Sequence, residues 1–189
     1  MISWRRYVSR SSQSLPREED FVVTSEPKGG KAVHENRIFV IQKHSARNLH
    51  YDFRLEVDGV LKSWAVPKGP STNPKDKRLA IYTEDHPLEY ASYEGVIPQG
   101  QYGAGKVIVW DTGHYRNMTE KAGQVVEMGR ALENGHISVW LEGRKLKGGY
   151  AITRTSRGWI LVKMNDELAD ASKDILIAEP RSVLSGRTI

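Results

Sequence analysis

The sequence predicts a mainly β protein, an antiparallel barrel or sandwich, on three observations. Apolar residues recur at every second position in short runs, the spacing of half-buried strands. Glycine-containing turns separate those runs. Only residues 120–133 offer a candidate helix, and Gly123 and Gly129 weaken it. Seven or eight short strands with so little helix fit a closed or layered antiparallel sheet.

In chain order, residues 1–19 carry serines and arginines without apolar periodicity, so a mobile N-terminal segment is expected there. A first strand is expected over 37–43. Leu49–Val57 is the clearest, with Leu49, Tyr51, Phe53, Leu55 and Val57 alternating with His50, Asp52, Arg54 and Glu56. Asp58-Gly59 reads as a two-residue turn, whose central positions need positive φ, and its partner strand is Val60–Val66. Further strands are expected at 79–83, 106–110, 137–142, 150–155 and 159–164. Residues 98–105 are glycine-rich but lack the lysine and the strand-to-helix setting of a phosphate cradle, so a tight connection is expected. Residues 178–189, with Pro180 and Gly186, read as a C-terminal linker, which leaves 20–177 as one domain.

Composition narrows the chemistry. The 189 residues include no cysteine, which excludes disulfide scaffolds, thiolate metal sites and cysteine nucleophiles and fits a cytoplasmic setting. No apolar run approaches the roughly 20 residues of a membrane helix, so no membrane partner is expected. The net charge is +5, of which Arg5, Arg6, Arg10 and Arg17 supply +4. Residues 37–82 hold nine lysines and arginines against four acids. Phosphate contacts are expected from Lys43, Arg47, Lys68, Lys75, Lys77 and Arg78.

Side chains two apart on a strand share a face, so His50, Asp52 and Arg54 point the same way. An ordinary water-facing sheet surface would also show this pattern. His44 lies six residues before His50, where a short loop brings the two together. Two imidazoles and a carboxylate make a facial set that leaves positions open on a metal such as manganese or iron(II). Arg54 would then stand as a bidentate oxyanion clamp beside those positions. Metal plus arginine suits phosphoryl chemistry. His86, ahead of Pro87, can protonate a leaving oxygen or hold a phosphate. No role is assigned to His34, His114 or His136, and the tryptophans are expected as core or anchors.

Four motifs add a resemblance. FVIQKHSARNLHYDFRLE at 39–56, LKSWAVPKGP at 61–70, EDHPLEY at 84–90 and EGVIPQGQYGAG at 94–105 together resemble the 3′-phosphoesterase domain of bacterial DNA ligase D. The similarity runs from about residue 20 to 166. It implies a single β-barrel domain that uses Mn2+ to remove 3′-terminal ribonucleosides and then 3′-phosphates, leaving a 3′-hydroxyl. It implies metal ligation by His44, His50 and Asp52, phosphate contact by Arg54 and His86, and an active-site role for Tyr90. Gln42, Lys68, Arg78 and Glu84 match motif positions around the site, and Asp20 and Glu26 match positions of site support. Glu19 stands where the family usually has a basic residue. The implied partners are DNA or RNA–DNA primer–template ends, with ligase and polymerase domains of one multidomain protein.

Two other readings use the same residues differently. An iron oxygenase would take His50, Asp52 and His86 as its triad and leave His44 idle. A binding barrel would hold DNA ends without chemistry.

Overall fold

Two strands joined by a short turn, β1 (Ile38–Ser45) and β2 (Leu49–Val57), begin the described part of the chain. The structure is a computed structural model and describes residues 37–189; the segment 1–19, Asp20 and Glu26 lie outside the described residues. β2 turns back through Asp58 and Gly59, both at positive φ (51° and 80°), as a type I′ turn requires, into β3 (Val60–Val66). β4 (Arg78–Tyr82) follows, then a 3-10 helix, Leu88–Ser92, and the short β5 (Gly95–Ile97). The long β6 (Gly105–Asn117) leads to a small hairpin, β7 (Glu120–Lys121) with β8 (Gln124–Val125), and to α1 (Met128–Asn134). Strands β9 (His136–Gly143), β10 (Lys147–Thr155) and β11 (Gly158–Lys163) and the one-turn α2 (Ile175–Ala178) complete the order.

The sheet runs β1-β2-β3-β4-β11-β10-β9-β6 and closes because β6 also pairs with β1. All these pairings are antiparallel. β5 extends the ring beside the first half of β6, whose second half pairs with β9. Closure removes the unpaired edges that an open sheet leaves. Inward residues of alternating strands form the core: Phe39 and Ile41, Tyr51, Phe53, Leu55 and Val57, Trp64, Trp110, Leu141 and Leu161 are all buried. Each large apolar side chain so placed contributes about 1.5–3 kcal/mol of burial. Trp64 and Trp159 meet edge to face at 5.8 Å.

One outward patch of the barrel is also dry. Val40, Leu61 and Val109 are fully buried on that side, packed against Leu88, Tyr90, Ala91 and Val183. The cover is the 3-10 helix together with the chain's last residues. It explains why the polar side of β2, which ordinary alternation would leave wet, is buried at Asp52 and Arg54.

Four expectations change. The candidate helix at 120–133 splits, because Ala122 and Gly123 take positive φ (51° and 76°) and turn the chain into the β7–β8 hairpin; helix remains only at Met128–Asn134. β6 is much longer than 106–110, and it pairs along its length with β1 around a bulge at Ile41/Gln42. The 3-10 helix, β5 and α2 have no counterpart among the expected elements. Residues 178–189, expected as a linker, are held against the barrel: Trp110 Nε1 donates to the Glu179 carbonyl at 2.7 Å, Val183 N donates to the Val109 carbonyl at 3.0 Å, and the Ser182 hydroxyl donates to Glu94.

Gly105 makes the join between the glycine-rich loop and the β1–β2 turn. Its φ is +146°, and a Cβ there would sit 2.2 Å from the Ser45 carbonyl oxygen and 2.8 Å from Ala46 Cα. Gly105→Ala is therefore expected to cost about 1–3 kcal/mol or more, read as a lowered urea midpoint. Gly100→Ala, also at positive φ but with open space around it, is expected to cost less. Equal losses would contradict the clash.

Candidate metal centre

The β1–β2 pairing sets His44 directly across from His50 and Gln42 across from Asp52. On the next hairpin Arg54 faces Ser63. These residues point outward from the barrel, under the cover formed by the 3-10 helix and the loops around it. His44 Nδ1 and His50 Nε2 each lie 3.5 Å from an Asp52 carboxylate oxygen, and one ligand atom from each of the three falls within 4.8 Å of the others.

Backbone carbonyls fix which ring nitrogens face inward. His44 Nε2 is 2.7 Å from the Gly103 carbonyl oxygen, and His50 Nδ1 is 2.9 Å from that of Asn48. A carbonyl only accepts, so those nitrogens carry hydrogens, and each ring turns its other nitrogen toward Asp52. With those inward nitrogens unprotonated, they and the carboxylate make a set of three acceptors of the kind a cation satisfies. Ligand atoms held about 2.0–2.2 Å from one ion lie about 3.0–3.5 Å apart, which matches the two histidine–Asp52 separations of 3.5 Å. Outer N–H groups tied to carbonyls are the usual support of metal-bound histidine.

Electrostatics agree with a cation-binding role. Burial works to raise the Asp52 carboxyl, but contacts with His44 and His50 and the charge of Arg54 outweigh it and hold the group well below the usual carboxylate range. His50 is raised by its contact with Asp52, against burial. Protons and a metal would therefore compete at His50, and metal affinity should fall as pH decreases.

Arg54 is only 3% exposed and is gripped on several sides. Nε donates to Gln42 Oε1 at 2.9 Å and Nη1 to Ser63 Oγ at 2.8 Å. Nη1 also stands 3.0 Å from His86 Nδ1, and Nη2 3.3 Å from Asp52 Oδ2. With the His86 contact counted, one of the five N–H groups, on Nη2, remains free, and the expected two-pronged grip on a phosphate requires that contact to open. Burial lowers the Arg54 pKa and the Asp52 charge opposes the shift.

His86 is fixed by paired backbone bonds with Leu61, at 2.8 and 3.1 Å, which bring its ring beside Arg54. Burial, then the Arg54 charge, lowers its pKa. A neutral ring is favoured, so it offers a hydrogen bond more readily than a cation. It does not join the His50–Asp52 group, as the oxygenase triad would need. Tyr90 lies with its ring 5.2 Å from the Arg54 guanidinium carbon, stacked on Tyr93 at 4.9 Å; burial raises its pKa, which keeps the phenol protonated.

Gln42 is fully buried and joins the two halves of the site. Its Nε2 donates to the carbonyls of Tyr90 and Tyr93 at 3.0 and 3.1 Å while its Oε1 accepts from Arg54. Glu84 contributes a carbonyl 3.0 Å from His86 Nδ1. Lys68 and Arg78 are not bonded to this group; Lys68 is exposed, and Arg78 pairs with Asp76 at 3.0 Å. Arg47, Lys75 and Lys77 are exposed, but Lys43 is buried and so is withdrawn from the expected phosphate contacts. Sequence reasoning missed Ser63, Tyr93 and the carbonyls of Asn48 and Gly103.

The sequence matches the profile of a family described as the DNA ligase D 3′-phosphoesterase domain over residues 42–154. It is 49% identical over 191 residues to the multifunctional non-homologous end joining protein LigD of Pseudomonas aeruginosa, covering 96% of this chain and 22% of that protein. The LigD of Mycobacterium tuberculosis is 49% identical over 134 residues, 70% of this chain and 17% of that protein. That of Mycolicibacterium smegmatis is 43% identical over 164 residues, 86% and 20% respectively. The chain spans about a fifth of the length of these relatives.

Proposed function

The chain belongs to the DNA ligase D 3′-phosphoesterase domain family, and from that membership we propose that it is a manganese-dependent enzyme that trims nucleic-acid 3′ ends. It would remove a terminal ribonucleoside to leave a 3′-phosphate, and then the phosphate to leave a 3′-hydroxyl. The observation that carries the reading is the convergence of His44, His50 and Asp52 beside the buried Arg54. The relatives' names support a setting in non-homologous end joining; primer–template ends as substrate and ligase and polymerase domains as partners are part of the proposal.

The three ligands would hold the ion. When bound it supplies Lewis-acid polarisation of a phosphoryl oxygen and a more acidic water. Arg54, next to the ligand Asp52, holds a positive charge within reach of a phosphate seated there and stabilises added negative charge. Gln42 and Ser63 keep the guanidinium from turning away. Tyr90 remains a phenol donor. His86 Nδ1 stands 3.0 Å from both Arg54 Nη1 and the Glu84 carbonyl: the tautomer that accepts from Arg54 offers an Nε2–H to a phosphate oxygen, and the one that donates to Glu84 offers a lone pair at Nε2.

The test is a labelled primer–template ending in one ribonucleotide, followed with and without manganese. The expected result is a 3′-phosphate product that gives way to a 3′-hydroxyl, with manganese only. The manganese concentration for half-maximal rate should rise as pH falls below neutral, because His50 then takes up protons. Absence of both products with manganese would contradict the proposal.

A further inference from the structure

The rim of the centre carries an aromatic side chain that the reaction as described leaves unused. Tyr102 is 87% exposed, more than any other large apolar or aromatic residue among those described. It stands in the 98–105 connection, in the turn that Gln101 N to Pro98 O and Ala104 N to Gln101 O bonds hold at 3.2 and 3.1 Å. The next residue, Gly103, gives its carbonyl to His44. Two residues further, Gly105 is wedged against the Ser45–Ala46 backbone. The loop is thus pinned to the metal centre immediately after Tyr102 while the ring itself touches little. Backbone dimensions put Tyr102 Cα within about 9 Å of His44 Nε2, a distance one nucleoside spans.

Arg47 is exposed on the adjoining β1–β2 turn, a cation for the phosphates of a bound strand. A bare phosphate has no use for an exposed ring beside the centre. A nucleobase does, because aromatic stacking is favourable and tolerant of sequence.

We propose that Tyr102 stacks on the base of the 3′-terminal nucleoside and makes the site prefer an end that still bears one. This rests on the phosphoesterase reading above. It makes Tyr102 a specificity residue that acts on ribonucleoside removal more than on phosphate removal.

The experiment compares wild type, Tyr102→Ala and Tyr102→Phe on two primer–templates, one ending in a ribonucleotide and one in a 3′-phosphate. In Tyr102→Ala, kcat/KM for ribonucleoside removal is expected to fall about tenfold or more relative to that for phosphate removal. Tyr102→Phe keeps the ring and should restore the ratio. A terminal 2-aminopurine, quenched when stacked, should be brighter on Tyr102→Ala than on wild type or Tyr102→Phe. An unchanged ratio, or unchanged 2-aminopurine emission in Tyr102→Ala, would overturn the proposal. Failure of the wild type to process either end would instead bring down the phosphoesterase reading on which it rests.

Discussion

Asp52→Asn is expected to lose turnover by on the order of a thousandfold or more and to lose specific manganese binding. The substitution keeps the shape of the side chain but removes the only carboxylate of the ligand group. Folding should survive, since the amide keeps an oxygen to accept from Arg54 and its new N–H can donate to a lone pair on His44 or His50. The separation of the two effects can be read in one thermal series. Wild type should gain about 2.7 kcal/mol of stability at a manganese concentration a hundred times the dissociation constant, seen as a higher Tm, while Asp52→Asn should gain nothing. An Asp52→Asn protein with near wild-type turnover would show that the catalytic ion lies elsewhere or that none is needed.

Arg54→Ala should lower turnover by about a hundredfold or more, as expected for a lost stabiliser of developing charge. It also strands Asp52, Gln42 and Ser63 in a buried setting, at about 3–5 kcal/mol by analogy with other broken buried pairs. Arg54→Lys distinguishes charge from geometry. An ammonium keeps the positive charge beside Asp52 but lacks the planar fork that reaches Gln42 and Ser63 together. It should fold better than Arg54→Ala yet remain at least tenfold below wild type. Full activity in Arg54→Lys would contradict a role for the guanidinium geometry.

Much of this arrangement was legible in local sequence rules. The strict alternation of Leu49–Val57 put His50, Asp52 and Arg54 on one face, and the short gap from His44 to His50 put the imidazoles together. The Asp58-Gly59 turn also fixes register by counting: positions summing to 117 oppose each other, so Ser63 across from Arg54 could have been found from the turn alone.

What local rules could not show is the cover over the polar face. Gln42 holds the 3-10 helix through bonds to residues 48 and 51 positions away. No pattern within Leu88–Ser92, where no residue is fully buried, announces that helix. Tyr90 was reached through the family motif and not through composition. The Gly103 carbonyl had no signal either, since the 98–105 glycines read as a turn and nothing more. The docking of residues 178–189 likewise depends on distant partners, Lys145 among them, whose Nζ donates to the Glu179 carbonyl at 2.8 Å. The length of β6 was hidden by Thr112, Gly113 and His114, polar or small residues that break the apolar alternation yet pair with β1 and β9.

The proposed chemistry depends on a metal held by His44, His50 and Asp52. A crystal soaked in manganese and measured above and below the manganese absorption edge tests that directly. One strong anomalous peak is expected, bounded by His44 Nδ1, His50 Nε2 and an Asp52 carboxylate oxygen, at about 2.0–2.3 Å from each. A map with no peak among these atoms, or with the peak on other residues, would contradict it.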